Sequence, residues 1–327
     1  MSETMTVREA LRMALREEMA RDDRVTILGE EVGLFEGSYR VTAGLMEEFG
    51  AERVRDTPIS EEGFTGAAIG AAMAGGRPVV EIMTVNFSLL AFDQIVNNAA
   101  KIRYMFGGEA GCPLVVRMPG GGGSQLTAQH SQSFDAWFAH VPGLKVLAPA
   151  TPADARGLLK AAIRDDDPVM FLESFPLYNI KGEVDEDDDV TPIGRARVAR
   201  EGTDITFVAH SYAVVRALRV ADALAEEHDV SAEVIDLRSL RPLDFETVAE
   251  SVRKTNRALC VEEGWATYGV SAELAARIGF ACFDYLDAPV GRVGAAEVPL
   301  PYAKNLEQAA LPNDEKIAAA ARQVLDI

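Results

Sequence analysis

Cysteine is scarce and scattered in this 327-residue chain. Cys112, Cys260 and Cys282 form no C-x-x-C pair, which excludes a disulfide framework and a cysteine-built zinc site and fits reduced core thiols. The four histidines have no metal-ligand spacing either. No apolar run reaches membrane-spanning length. Basic residues are in deficit, 32 Lys and Arg against 51 Asp and Glu, for a net charge of -19. That balance argues against nucleic-acid binding and for a basic protein partner. G-x-x-x-x-G-K-[ST], G-x-G-x-x-G after a strand, and G-x-S-x-G are all missing, so the P-loop, dinucleotide-fold and serine-hydrolase classes are set aside. The start, MSETMTVREALRMALREEMARDD, reads as an amphipathic helix. It has neither the order of a secretion signal nor the composition of a transit peptide, and the expected compartment is the cytoplasm.

The residues present describe an α/β protein of two-domain size. Helical periods fall near 6–21, 41–49, 62–75, 88–105, 134–139 and 152–164, and strand-like runs at 25–30, 78–83, 113–118, 144–149 and 168–173. This alternation predicts a parallel sheet of βαβ units. GEVDEDDDV (182–190) carries six acids in nine residues and reads as a solvated linker. A second alternating series follows it: strands DITFVAH, VSAEVIDL and ALCVEE, with helices from about 212, near 244–254 and from about 268. The expected division is 1–185 and 186–327.

Within the first series, DTPISEEGFTGAAIG (56–70) sets two carboxylates before a helix made largely of Gly and Ala. Ser60 suits an N-cap, and acids in the first turn suit the helix dipole. The bare face of Gly63, Gly66, Ala67, Gly70, Ala71 and Ala74 exceeds what a cap requires and signals close approach by another body. PGGGGSQ (119–125) follows a strand and reads as a mobile loop, with an anion cradle of backbone N–H groups as the lesser alternative. Beside it, Gln129, Ser131 and Gln132 give His130 a polar setting near a strand's carboxyl end, and make it the best catalytic histidine. His140 is expected to pack, His210 to be structural and His228 to face solvent.

DTPISEEGFTGAAIGAAMAGGRPVVEIMTVNFSLLAFDQIVNNAAK (56–101), AQHSQSFDAWFAHVPGLKVLAPATPADARGLLKAAIRDDDP (128–168) and GTDITFVAHS (202–211) resemble the β subunits of the thiamine-diphosphate-dependent 2-oxo acid dehydrogenases over nearly the whole chain. The resemblance implies a pyrimidine-binding domain followed by a transketolase C-terminal-like domain. It further implies thiamine diphosphate shared with an α subunit, which holds the diphosphate through Mg2+ with a Gly-Asp-Gly motif that this chain lacks.

By the same resemblance Glu61 bonds the distal ring nitrogen of the aminopyrimidine, Met83 and Phe87 line that ring's pocket, and Glu62 only favours the helix dipole. His130 stands near the substrate channel, for the 2-oxo acid carboxylate or for transfer to a lipoyl group. Glu30 belongs to an internal acidic path. Leu114, Ala162, Ile163, Asp165 and Asp167 resemble a potassium site built mostly from carbonyls, Asp167 standing where some relatives carry Asn. The implied activity is oxidative decarboxylation of a 2-oxo acid, pyruvate first and branched-chain acids or acetoin next, in an α2β2 heterotetramer. That assembly would work with the lipoyl domain and docking on the subunit-binding domain of an acyltransferase core. A non-catalytic assembly subunit is the reading of another class.

Overall fold

The computed structural model describes residues 2–185 and 190–327. Contacts divide the described residues into two units, one from the stretches Met1–Gly120 and Trp137–Ile193, the other from Gly121–Ala136 and Gly194–Ile327. Residues 121–136, between two segments of the first unit, therefore pack with the second.

The first unit contains β1 (Ser2–Thr6), α1 (Val7–Arg21), β2 (Val25–Gly29), α2 (Leu45–Phe49), β3 (Val54–Asp56), α3 (Glu61–Met73), β4 (Arg77–Glu81), α4 (Ile102–Met105) and β5 (Val115–Gly120). After α5 (Asp135–His140) come β6 (Lys145–Leu147), α6 (Pro152–Arg164), β7 (Val169–Ser174) and β8 (Lys181–Asp185). Six of these strands run parallel in the order β6-β7-β5-β4-β2-β3. Their side chains are apolar on both faces, as in β5 and β7, where every residue is buried. The order places a switch beside β2: the chain moves out to β3, then returns to β4 on β2's other side. Gly29 permits that pairing, since a Cβ there would lie 2.4 Å from the Glu81 carbonyl oxygen.

α1 begins one residue later than its period suggests because Thr6 caps it. The Thr6 hydroxyl accepts from Glu9 N–H at 3.2 Å and the Glu9 carboxylate accepts from Thr6 N–H at 2.8 Å. Residues 88–105, read as one helix, are instead a 3-10 turn (Val85–Leu89), a π-helical turn (Gln94–Ala99) and α4. The Ala100 N–H reaches five residues back to Ile95 at 3.0 Å, an inserted residue that a 3.6-residue period does not record. The acidic segment read as linker is corrected in its first part: 181–185 pair antiparallel with 2–6, and Val184 packs with Met5 and Ala10. Backbone pairing tolerates the acids because their side chains face water. Residues 186–189 of that segment lie outside the described residues.

The second unit contains β9 (Arg197–Arg200), β10 (Ile205–Ala209), α7 (Tyr212–His228), β11 (Ala232–Asp236), β12 (Ser239–Arg241), α8 (Phe245–Thr255) and β13 (Ala258–Trp265). α9 (Val270–Ala281), β14 (Gly291–Ala295), α10 (Lys304–Ala310) and α11 (Asp314–Leu325) complete it. Its sheet runs β14-β13-β10-β11-β9, with β9 alone antiparallel.

Candidate active site

In open α/β sheets, ligands bind outside the carboxyl ends of the strands where the strand order reverses. At that place in the first unit the chain sets Glu30 directly after β2, Glu61 at the first residue of α3 after β3, and Met83, Thr84 and Phe87 after β4. Glu61 is 4% exposed and Glu30 7%, and their side chains hydrogen-bond to each other. Burial, then the charge and hydrogen bond of Glu61, push the Glu30 carboxyl up to about 7. Glu30 therefore holds its proton up to near-neutral pH beside the buried Glu61.

The surroundings show unsatisfied hydrogen-bonding capacity. Glu30 Oε1 and the hydroxyls of Thr57, Thr65 and Thr84 are buried without a hydrogen-bond partner. Met83 and Phe87 are half-buried. Buried polar atoms without partners cost about 1–3 kcal/mol each, and such atoms on the segments that follow β2, β3 and β4 fit a polar ligand that would engage them. Ser60 occupies the N-cap of α3, but its hydroxyl makes no capping bond, and Gly63 leaves room for it, since a Cβ there would lie 2.7 Å from Ser60 Oγ. Of the bare face of α3, Gly63, Ala67, Gly70, Ala71 and Ala74 are exposed, while Phe64, Ala68, Ile69 and Ala72 face inward. Gly66 sits against the Gln94 side chain. Glu62 is exposed.

Two supports for this site went unread in the sequence. Asp56, in the quoted DTP, accepts from Gly33 N–H at 2.6 Å and Leu34 N–H at 3.0 Å, fixing the loop that leaves Glu30. Beneath Met83, Arg117 of β5 donates twice to Glu173 of β7, both at 2.8 Å, and also to Glu81 of β4. The Tyr178 hydroxyl donates to Glu173 at 2.6 Å. All four are buried. Burial raises Glu81, against the pull of Arg117, and raises Tyr178 further above its ordinary range. The signal was present: one charged residue near the end of each apolar strand, in VVEIM, VVRM and MFLES.

His130 lies half-buried in the 121–136 segment of the second unit, its N–H bonded to the Thr127 carbonyl at 3.3 Å. The glycine run before it does present N–H groups to an anion, but the anion belongs to the chain: Gly123 and Gln125 donate to the Glu307 carboxylate at 3.0 and 3.1 Å. His140 is exposed rather than packed, because its helix turns Phe138 inward instead. His210 is buried at the end of β10, 3.5 Å from Asp135. Burial alone would lower its pKa, but the Asp135 bond and the neighbouring acids raise it overall. Glu262 nearby accepts from Val270 and Ser271 N–H, each at 3.0 Å, a remote cap for α9, whose own N-cap is Gly269. His228 faces solvent.

The polar groups of the residues read as a potassium site are engaged within the chain. The Leu114 carbonyl accepts from Val169 N–H at 2.8 Å, Ala162 from Asp165 N–H at 3.3 Å, and Ile163 and Asp165 from the Arg77 guanidinium at 3.0 Å each. Asp165 is paired with Lys145, and Asp167 with Lys145 and Arg103. Positive charge is thus already supplied by side chains here. Among the described residues no group of three His, Cys, Asp or Glu side chains is arranged to hold a metal, and no helix is long and apolar enough to cross a membrane.

Comparison with known proteins agrees with this layout. Residues 3–181 match the transketolase pyrimidine binding domain and residues 194–317 the transketolase C-terminal domain. The chain is 52% identical to the pyruvate dehydrogenase E1 component subunit beta of Rickettsia felis, over 98% of each chain. It is 54% identical to the mitochondrial beta-1 subunit of Arabidopsis thaliana, over 98% of this chain and 89% of that protein. With the Rhizobium meliloti beta subunit it shares 52% identity over 98% and 70% of the two chains. A solved split gene transketolase, described as an inactive beta4 tetramer, superposes with a TM-score of 0.80 at 24% identity over 98% of both chains, a likeness of fold. The chain belongs to the pyruvate dehydrogenase E1 component beta-subunit family, built from the two transketolase-type domains.

Proposed function

We propose that this chain supplies the pyrimidine-binding half of a pyruvate dehydrogenase E1 active site and that it works only when assembled with an α subunit, as α2β2. The observation that carries the reading is the buried Glu30–Glu61 pair at the switch of the first sheet, with Glu30 Oε1 left without a hydrogen-bond partner. Residues 1–185 act as the pyrimidine-binding domain and 186–327 as the assembly domain, in a cytoplasmic enzyme. The diphosphate and its Mg2+ fall to the α subunit, since no Gly-Asp-Gly occurs here. A potassium ion would be held mainly by the Leu114, Ala162 and Ile163 carbonyls, beside carboxylates already paired with Arg103 and Lys145.

Thiamine diphosphate, when bound, supplies a carbon nucleophile for the ketone of a 2-oxo acid and an electron sink for the carboxylate lost as CO2. This chain's residues prepare it. Glu61 shares a proton with the distal ring nitrogen, and that bond is strong because it is charge-assisted and shielded from water. Glu30 keeps a proton close to Glu61 at neutral pH, so Glu61 can give one up and recover it without bulk solvent. Met83 and Phe87 flank the ring with a thioether and an aromatic face, which hold a flat heterocycle without competing polar groups. His130 meets either the substrate carboxylate or the lipoyl group that accepts the acyl unit. Decarboxylation measured with an artificial acceptor, and acyl transfer measured with a lipoyl domain, separate those roles in His130→Gln. The acidic surface suits docking on a basic subunit-binding domain, where charge mainly speeds and orients association.

Co-expression with a candidate α chain and assay on pyruvate, 2-oxoisovalerate and acetoin tests the reading. Pyruvate is expected to be turned over best. Preference for either other substrate moves the chain to a sister activity, and no activity on any of them with a competent α chain refutes the proposal.

A further inference from the structure

The glycine-rich run that leads to His130 is not held by its own sequence. Gly121 and Gly123 have φ of +81° and +98°, and Gln125 and Thr127 follow at +55° and +62°. The last two carry side chains in the left-handed region, where an L residue rests only if its surroundings hold it. A loop with four such residues in seven positions needs ties, and the second unit supplies them. Gly121 N–H donates to the Gln132 carbonyl at 2.9 Å, closing the base of the segment. Gly122 packs on the small cluster of Leu300, Ala310 and Leu311, so closely that a Cβ would lie 2.7 Å from Leu300 and from Leu311. Gly123 and Gln125 both turn their N–H groups onto one carboxylate, that of Glu307, at 3.0 and 3.1 Å, with Glu307 Oε2 a further 3.3 Å from Gln125 N.

Glu307 is itself fixed. It is 1% exposed on α10, whose final turn is held by Lys316 bonding the Ala309 and Leu311 carbonyls. A buried carboxylate must be compensated, and backbone N–H groups at charge-assisted distance do so. From the loop's side, two alternate amides converge on this one carboxylate, and 184 residues separate Gly123 from it. The last tied amide, on Gln125, is five residues from His130.

We infer that Glu307 is a positioning residue for His130, an internal anion that sets the conformation of the 121–130 segment and so the place of the imidazole. This deepens the reading of His130 given above and rests on it. Glu307 touches no reacting atom in this account. It acts through the loop.

The test uses the assembled enzyme with its α subunit. Glu307→Gln keeps the side-chain volume but can accept through only one oxygen, and Glu307→Asp keeps the charge but shortens its reach. Hydrogen exchange over 121–130 is expected to speed up about tenfold in Glu307→Gln, with β10 unchanged, as for local opening of one tied segment. In a double-mutant cycle, Glu307→Gln should lower kcat/KM about tenfold beside native His130 and less than about twofold beside His130→Gln, because interacting positions are not additive. Glu307→Asp should fall between Glu307→Gln and wild type in both measurements, and it carries the same test if Glu307→Gln does not assemble. Unchanged exchange in 121–130, or an equal loss of kcat/KM in both His130 backgrounds, overturns the inference. Faster exchange with His130→Gln as active as wild type refutes instead the role given to His130, and the positioning claim falls with it.

Discussion

At the scale of single residues, the reading turns on two carboxyl groups sharing a dry place. Burial and Glu61 raise Glu30 from 4.5 to about 7, so the folded chain keeps a proton that the unfolded chain releases. The stability this group contributes is therefore full below about 4.5 and is lost as pH rises towards about 7. Glu30→Gln should flatten that part of the pH profile, measured as the urea midpoint at several pH values across the interval. An unchanged slope would mean that Glu30 is not the titrating group. Glu61→Gln should move the Glu30 titration down, since it removes the second and third causes of the shift, and side-chain carbon NMR would follow it. The sequence carried the identity of Glu61 only through a long motif. Local chemistry alone described a capping acid, and Ser60 leaves the cap unmade. The partnership with Glu30 was not legible because it joins the end of β2 to the start of α3 through sheet order, which no local period encodes.

Among elements, the parallel sheet followed from short apolar runs alternating with helices, and α1, α3 and α6 lie within a residue or two of their expected spans. What escaped was polar or irregular. Arg117, Glu81 and Glu173 were hidden in strands that read as simply apolar. Together they tie β4, β5 and β7 at their carboxyl ends, directly before the segment that carries Met83. Arg117→Met should destabilise the fold by about 3–5 kcal/mol, the cost of leaving buried carboxylates without their cation. Denaturant unfolding would measure it, and a loss below about 1 kcal/mol, the level of a surface pair, would show the cluster to be solvated. The π-helical turn at Gln94–Ala99 was missed for a similar reason: it inserts a residue into a helix whose apolar spacing otherwise continues. Its end meets Gly143, where a Cβ would lie 1.9 Å from the Ala100 carbonyl oxygen.

For the whole molecule, composition points to a basic partner, and the surface adds exposed apolar side chains. Ile59 and Tyr104 in the first unit, and Tyr268 and Phe280 in the second, are each more than four-fifths exposed, and single chains rarely leave so much apolar surface uncovered. With a net charge of -19, association with a basic subunit-binding domain should slow as salt is raised while the dissociation rate changes little. Stopped-flow association at low and high ionic strength would read this, and a salt-independent rate would remove charge from the docking account. Isolated, the chain should not retain thiamine diphosphate in equilibrium dialysis, because the half-site proposed for it would bind only the pyrimidine. The most direct measurement is pyruvate decarboxylation by the assembled enzyme carrying Glu61→Gln. A fall of about 10²-fold or more, the range of a lost acid–base group, is predicted with assembly intact, and a wild-type rate would contradict the account.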